Sequence, residues 1–221
     1  MKILAVLRTG GEYDESHVDK LRDICAQHAP GFEFACLTDG NPDCETIPMI
    51  ETWPGWWCKM EMYRLPGPYF FMDLDTVILG DISHIIEKSE HYSFSIMRDH
   101  QRARYKKYKP IKNRKCFNTA VVTWTGDQSH MYKTFKADAD KWMNMFTSDQ
   151  RFVQSYLIGH ELVKPEPGRD YSYAITQDMV DDGPIFFDYD TDYGNNYDPN
   201  GHKIIVFHGS LRPWKQDKMP Y

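Results

Sequence analysis

The sequence predicts an α/β fold with a mostly parallel, mixed central sheet flanked by helices. Two observations lead there. Apolar runs of strand length alternate along the chain with stretches whose apolar residues recur at helical spacing. The chain also has 221 residues, 41% of them hydrophobic, enough to bury one sizeable core but short for two. Alternating strands and helices pack as a sheet covered by helices, and ligands of such sheets gather beyond the carboxyl ends of the strands.

Taken in order, Lys2 to Leu7 reads as a buried first strand, and Ser16 to His28 as a helix with Val18, Leu21, Ile24 and Cys25 on one face. Phe32 to Leu37 is a second strand, ending in the turn-forming T-D-G-N-P-D. Trp56 to Leu65 reads as a helix, entered after Pro54-Gly55 and stopped by Pro66. Tyr69 to Met72, Phe94 to Met97 and Ala120 to Trp124 are further strands. Asp127 to Phe146 and Ser148 to Ile158 read as helices, with Asp127 and Ser148 as N-caps. A last apolar run, Lys203 to Phe207, is followed at once by His208-Gly209.

Composition excludes several classes. Aromatic residues make up 14% of the chain and are spread along it, which argues against disorder. The apolar run at the N-terminus ends at Arg8, too early for a signal-peptide core, and no stretch offers the roughly twenty apolar residues needed to cross a bilayer. A soluble, cytoplasmic protein without a transmembrane segment is expected. The five cysteines include no C-x-x-C pair, so free thiols in a reducing compartment are the simplest account. A net charge of −6 makes nucleic acid a poor general partner.

The chemistry-bearing pattern is Y-F-F-M-D-L-D-T-V-I-L-G-D. With 22 Asp in the chain, D-x-D also arises by chance, at Asp138/Asp140 and within Asp188 to Asp192, but only Asp73 and Asp75 close an apolar strand. Residues two apart in a strand share a face, so both carboxylates are expected to converge at the strand's exit. Their mutual repulsion calls for a divalent cation, and oxygen ligands suit Mg²⁺ or Mn²⁺. His208 follows the last strand as Asp73 follows an earlier one, so in a parallel sheet it reaches the same end, and an imidazole favours Mn²⁺. Gly209, Arg212 and Lys215 then supply a tight turn and two cations suited to a diphosphate. The Asp188 to Asn200 loop is not an EF-hand, since its sixth and twelfth positions are Tyr193 and Pro199.

Together T-G-G-E-Y, C-L-T-D, G-W-W-C-K-M-E-M-Y-R, the D-x-D stretch, F-N-T-A-V, D-Q-R-F-V and F-H-G-S-L-R-P-W resemble GT-A glycosyltransferases, most of all family 8, over Lys2 to Lys215. The resemblance implies a single GT-A, Rossmann-like domain spanning residues 1–221. It implies a glycosyltransferase moving a hexose from a nucleotide-sugar, a UDP-sugar, to an unidentified acceptor. It assigns Mn²⁺ (or Mg²⁺) to Asp73, Asp75 and His208, and the donor to Leu7, Thr9, Tyr13, Lys59, Asp73, Leu74, Asp75, Gly209, Arg212 and Lys215. Asn118 matches an Asn near the sugar, while Asp149 and Gln150 match a D-Q pair beside the anomeric carbon. Asp149 as base, nucleophile or sugar ligand are three roles that only distances separate. Arg212 stands where the family has Lys, and N-T-A replaces N-S-G.

Arg98 to Lys115 is strongly basic with Tyr105 and Tyr108 interleaved, either a solvated loop that orders over donor or a contact for an anionic acceptor. Two rival readings stand beside the transferase. A nucleotidyltransferase would also use paired carboxylates, but no Gly-rich phosphate loop is present near the N-terminus. A non-catalytic nucleotide-sugar-binding module would keep the fold without turnover.

Overall fold

The computed structural model describes residues 1–98, 117–162, 186–188, 203–207 and 212–215. Its elements, in chain order, are β1 (Lys2–Leu7), α1 (Glu15–His28), β2 (Phe34–Thr38), β3 (Glu45–Pro48), a 3-10 helix (Gly55–Arg64), β4 (Tyr69–Met72), β5 (Val77–Ile78) and α2 (Ser83–Ser89). They continue with β6 (Phe94–Arg98), β7 (Phe117–Trp124), α3 (Ser129–Ala137), α4 (Ala139–Met145), α5 (Asp149–Leu162), β8 (Phe186–Asp188), β9 (Ile204–Val206) and a 3-10 turn (Pro213–Lys215). The basic segment and the Asp188–Asn200 loop lie outside the described residues except at their edges.

Six strands form the central sheet in the order β3-β2-β1-β4-β7-β6. The pairs β1–β2, β1–β4 and β2–β3 are parallel, while β4–β7 and β6–β7 are antiparallel, so the expected mixed, mostly parallel sheet is present. The alternating residues of β1 show why the run is apolar throughout. Ile3, Ala5 and Leu7 pack with Val18, Leu21 and Cys25 of α1 and Ile85 and Ile86 of α2. Leu4 and Val6 pack on the other face with Trp57, Met60 and Tyr63 of the long 3-10 helix, Phe135 of α3 and Phe152 of α5. A strand covered on both sides has no polar face.

α1 begins where Asp14 accepts a bond from Ser16 N at 3.0 Å, and α5 begins where Ser148 Oγ accepts from Arg151 N at 3.4 Å, as its sequence predicts. Other elements differ from expectation. β3 carries no apolar pattern because it is an edge strand with three of its four residues exposed. The stretch expected as one helix from Asp127 to Phe146 is two, broken at Asp138 (φ −145°, ψ 44°). The break lets Trp142 and Phe146 turn onto Phe152, with ring centroids 5.6 and 5.9 Å away, while Met131 and Phe135 stay in the core. The helix over Trp56–Leu65 is a 3-10 helix, unusually long for that geometry. Its fully buried Glu61 accepts bonds from Ile50 N (2.7 Å), Glu51 N (3.0 Å) and Arg64 Nε (3.0 Å), so the carboxylate is satisfied.

The last strand also corrects an expectation. β9 does not extend the parallel sheet; it lies in a second, three-stranded sheet, β5-β9-β8, antiparallel to β5. Ile205 pairs with Val77 and Ile204 with Ile78, so β9 runs toward the end of β5 that follows Asp75. The carboxyl end of β9 therefore still approaches the D-L-D turn, by antiparallel pairing.

A Cβ on Gly67 would stand 2.5 Å from Trp124 O and 2.9 Å from Thr125 C, backbone atoms that cannot rotate away. Gly67→Ala should therefore destabilise the protein by about 1–3 kcal/mol in urea titration. Gly126→Ala, with nothing within 4 Å of the new methyl, should cost much less; equal midpoints for the two would contradict this packing.

Cys25, Cys36 and Cys58 are 2%, 0% and 5% exposed, and burial pushes all three thiols up, Cys58 to about 12. Because the thiolate is the nucleophile, peptide mapping after brief treatment of native protein with a thiol reagent at pH 8 should find these three unmodified. Modification should follow in guanidinium chloride, and fast native labelling of any of them would refute the buried placement.

Candidate active site

The parallel strands β1, β2 and β4 end at one edge of the sheet, at Leu7, Thr38 and Met72. β7 runs the opposite way and brings its first residues to that same edge. Asp73 N donates to Ala120 O at 2.9 Å, and the chain then turns, with Thr76 N donating to Asp73 O at 3.0 Å. The D-L-D segment thus lies in a turn rather than in a strand. Its carboxylates reach the edge because the turn carries both of them there, not through strand alternation.

Lys59 links the pieces. Its Nζ donates to Asp73 Oδ1 at 3.1 Å and stands 3.2 Å from Asp149 Oδ2. Asp149 opens α5 and also accepts a bond from Thr119 Oγ1 at 2.9 Å. Asp75, 8% exposed, accepts from Tyr13 OH at 2.9 Å and lies 3.5 Å from Arg212 Nη1. Arg212 and Lys215 both meet Glu12, at 2.9 and 3.1 Å.

Asn118 sits at an irregularity in the β6–β7 ladder, where the register shifts between Ile96 and Met97. Such bulges re-aim side chains beside functional sites; here Asn118 Oδ1 accepts from Ala120 N at 2.7 Å. Gln150 follows Asp149 in the first turn of α5 and is half-buried. Leu7 and Leu74, 1% and 6% exposed, pack in the core, so their side chains support the edge from beneath. Thr9 is held in the loop after β1 by its N–H, which donates to Asp39 Oδ1 at 2.8 Å; Arg8 Nη1 reaches Asp39 Oδ2 at 3.0 Å. His208 and Gly209 lie outside the described residues.

The structure thus joins Lys59, Asp73 and Asp149 in one cluster and Tyr13, Asp75, Arg212 and Lys215 in another. Besides Arg8, three polar participants were not singled out from sequence: Glu12, Asp39 and Thr119. Each lies inside a motif that was, respectively T-G-G-E-Y, C-L-T-D and F-N-T-A-V, but their partners are distant in sequence.

Charge is out of balance at this edge. Burial pushes the Asp73 carboxyl up to about 6; the Lys59 ammonium opposes this, while Asp75 and Asp149 add to it. Burial also raises Asp75, against the Tyr13 hydrogen bond and Arg212. Burial alone would pull Lys59 down, but Asp149 and Asp73 outweigh it and hold the ammonium above the ordinary lysine range. Lys59 is favoured by two carboxylates, whereas Asp73 has one cation against its burial and two further anions.

Surplus negative charge and oxygen donors on Asp73 and Asp75 fit a hard divalent cation. Among the described residues no group of three His, Cys, Asp or Glu side chains is assembled to hold one, so these two carboxylates would need a further ligand.

The mixed sheet flanked by helices matches the GT-A-type fold of solved glycosyltransferases. The chain is similar to the galactosyltransferase LgtC solved with donor and acceptor sugar analogues, with a TM-score of 0.65 and 11% identity over 98% of this chain and 90% of that one. It is similar to the glycosyltransferase GlyE of Streptococcus pneumoniae TIGR4, with a TM-score of 0.62 and 12% identity over 97% of this chain and 57% of that one. It is also similar to mouse xyloside xylosyltransferase 1, with a TM-score of 0.51 and 13% identity over 95% and 97%. No protein-family model and no curated protein matches the chain by sequence. At these identities the likeness is one of fold. No described helix is long and apolar enough to cross a membrane.

Removing the shared cation leaves two carboxylates uncompensated, so Lys59→Met should destabilise ligand-free protein by about 2–4 kcal/mol. Adding Asp149→Asn should recover part of that loss in a double-mutant cycle; strict additivity would show that the pair is not coupled.

Asp39 supplies a pH-dependent contact. Burial raises its pKa, but the Thr9 N–H and the Arg8 guanidinium outweigh this and lower it from 3.8. A depressed carboxylate contributes stability above its unfolded pKa that is lost as pH falls through the folded value. Asp39→Asn should therefore cost about 1 kcal/mol at pH 7, and the difference from wild type should shrink as pH falls below the ordinary Asp range and through the lowered folded value. A pH-independent difference would rule out the ionic contribution.

Proposed function

We propose that this protein is a nucleotide-sugar-dependent glycosyltransferase that moves a hexose from a UDP-hexose to an acceptor, with Asp73, Asp75 and His208 holding Mn²⁺ or Mg²⁺. The observation that carries the reading is the carboxylate cluster at the sheet edge: Asp73 and Asp75 on the D-L-D turn, and Asp149 joined to Asp73 through Lys59. This is where α/β sheets bind ligands, and structures of the same fold include one solved with donor and acceptor sugar analogues.

In this reading Thr9 and Tyr13 border the nucleoside, in a loop tied to the sheet edge by Asp39 and Asp75. Arg212 and Lys215 approach the diphosphate, where positive charge stabilises the leaving group as the glycosidic bond breaks. The divalent cation, when bound, supplies Lewis-acid neutralisation of that same charge. Lys59, Asp149, Asn118 and Gln150 lie on the side where the transferred sugar would sit. Asp149 enters a site already crowded with anions, where Lys59 and the Thr119 hydroxyl hold its carboxylate in place.

Calorimetric titration of UDP, UDP-glucose, UDP-galactose and a GDP-sugar, with Mn²⁺ and again with EDTA, tests the reading. Metal-dependent binding of one UDP-sugar is expected, weakened at least tenfold in Asp75→Ala and His208→Ala, a loss of about 1.4 kcal/mol or more. Folded protein that binds none of these ligands would overturn the transferase reading. Donor binding without turnover on any acceptor or on water would turn it toward a non-catalytic binding module.

A further inference from the structure

The two cations expected to face a diphosphate already share an anion. Arg212 donates Nε and Nη2 to Glu12 Oε2 at 3.1 and 2.9 Å, and Lys215 Nζ donates to Glu12 Oε1 at 3.1 Å. The third arm of the guanidinium, Nη1, lies 3.5 Å from Asp75 Oδ2. A carboxylate thus spans the pair of cations beside the D-L-D turn.

We infer that Glu12 holds the place of a diphosphate between Arg212 and Lys215, and that a nucleoside diphosphate binds by displacing it. The inference rests on the proposed nucleotide-sugar function and adds to it a residue that sets donor affinity.

Two features make Glu12 displaceable. The segment Arg212–Lys215 is anchored by other contacts: Trp214 packs edge-on against Tyr13 and His17, with centroids 5.6 and 4.6 Å apart, Arg212 lies over the Tyr13 ring at 5.5 Å, and Pro213 is buried. Glu12 itself is 41% exposed in its side chain and follows Gly10 and Gly11, both exposed with nothing within 4 Å of where a Cβ would be. Gly10 has φ 84°, a conformation that favours glycine. The loop can therefore withdraw the carboxylate without unpacking a side chain.

The chemistry favours the exchange. One carboxylate offers a single negative charge to two cations. A diphosphate offers more charge and more oxygens to the same donors, and Arg binds phosphate through two parallel bonds. In the ligand-free protein Glu12 would keep Arg212 and Lys215 ordered and partly neutralised, so that adventitious monoanions compete poorly for them.

Titration of inorganic pyrophosphate and of UDP in EDTA into wild type and Glu12→Gln tests this, with melting temperatures as the control for folding. Glu12→Gln should bind pyrophosphate about fivefold more tightly or better, and adding Arg212→Gln should abolish the gain. Equal or weaker pyrophosphate binding in Glu12→Gln, or no pyrophosphate binding by either protein, would overturn the inference. The two readings separate cleanly. Tighter pyrophosphate binding with no affinity for any UDP-sugar would sink the proposed donor but not the role of Glu12. UDP-sugar binding that Glu12→Gln leaves unchanged would sink the role of Glu12 alone.

Discussion

One ammonium shared by two carboxylates governs the polar edge of this molecule. Lys59 is 15% exposed in its side chain, within 3.1 Å of Asp73 and 3.2 Å of Asp149. Carboxylates withdrawn from water need such a partner, because moving a charge out of water costs several kcal/mol. The geometry around them serves that requirement. The 3-10 helix brings Lys59 up from a largely buried element, and the first turn of α5 places Asp149 where a helix N-terminus favours negative charge. Thr119 adds a hydroxyl donor.

That compensation remains partial. Asp73 stays above the ordinary carboxylate range although it holds the lysine, first because it is withdrawn from water and then because Asp75 and Asp149 lie near it. A fold that maximised stability would not gather these acids at one edge. Their concentration at the carboxyl ends of parallel strands, over a core closed by Leu7, Met72 and Leu74 beneath, is what a site for a cationic or metal-bridged ligand requires. The rigid sheet sets their spacing, and the turn after β4 lets two of them leave it together.

The second cluster ties residues 212–215 to the loop that follows β1. Residues 212–215 return across the loop that follows β1 and lay Trp214 against Tyr13 and His17. Tyr13 then bonds Asp75, so the C-terminal segment, the N-terminal loop and the D-L-D turn form one connected polar and aromatic network. Contacts that span some 200 positions of sequence are expensive in loop entropy only in proportion to the logarithm of their separation. The rings of Trp214, Tyr13 and His17 and the buried Pro213 anchor the segment, and three hydrogen bonds to Glu12 add to them.

Much of this was legible from residues alone. Lys2–Leu7 and Tyr69–Met72 are strands as their apolar runs predict, because buried strands must be apolar on both faces. Ser148 caps α5 as its position predicts, and the motifs from T-G-G-E-Y to R-P-W foretold a GT-A-like fold that the structure bears out. Edge strand β3 left no trace, since an exposed edge needs no periodicity. The break at Asp138 also left none, since two short helices with apolar stripes read as one long one until Phe152 shows which way the second must face. Above all, the sequence names the acids and cations but not their pairing. That Lys59 serves Asp73 and Asp149 while Arg212 and Lys215 serve Glu12 depends on which strand ends share an edge. Hydrophobic periodicity determines which segments are buried, whereas strand order and direction, set by long-range pairing, decide which charges meet.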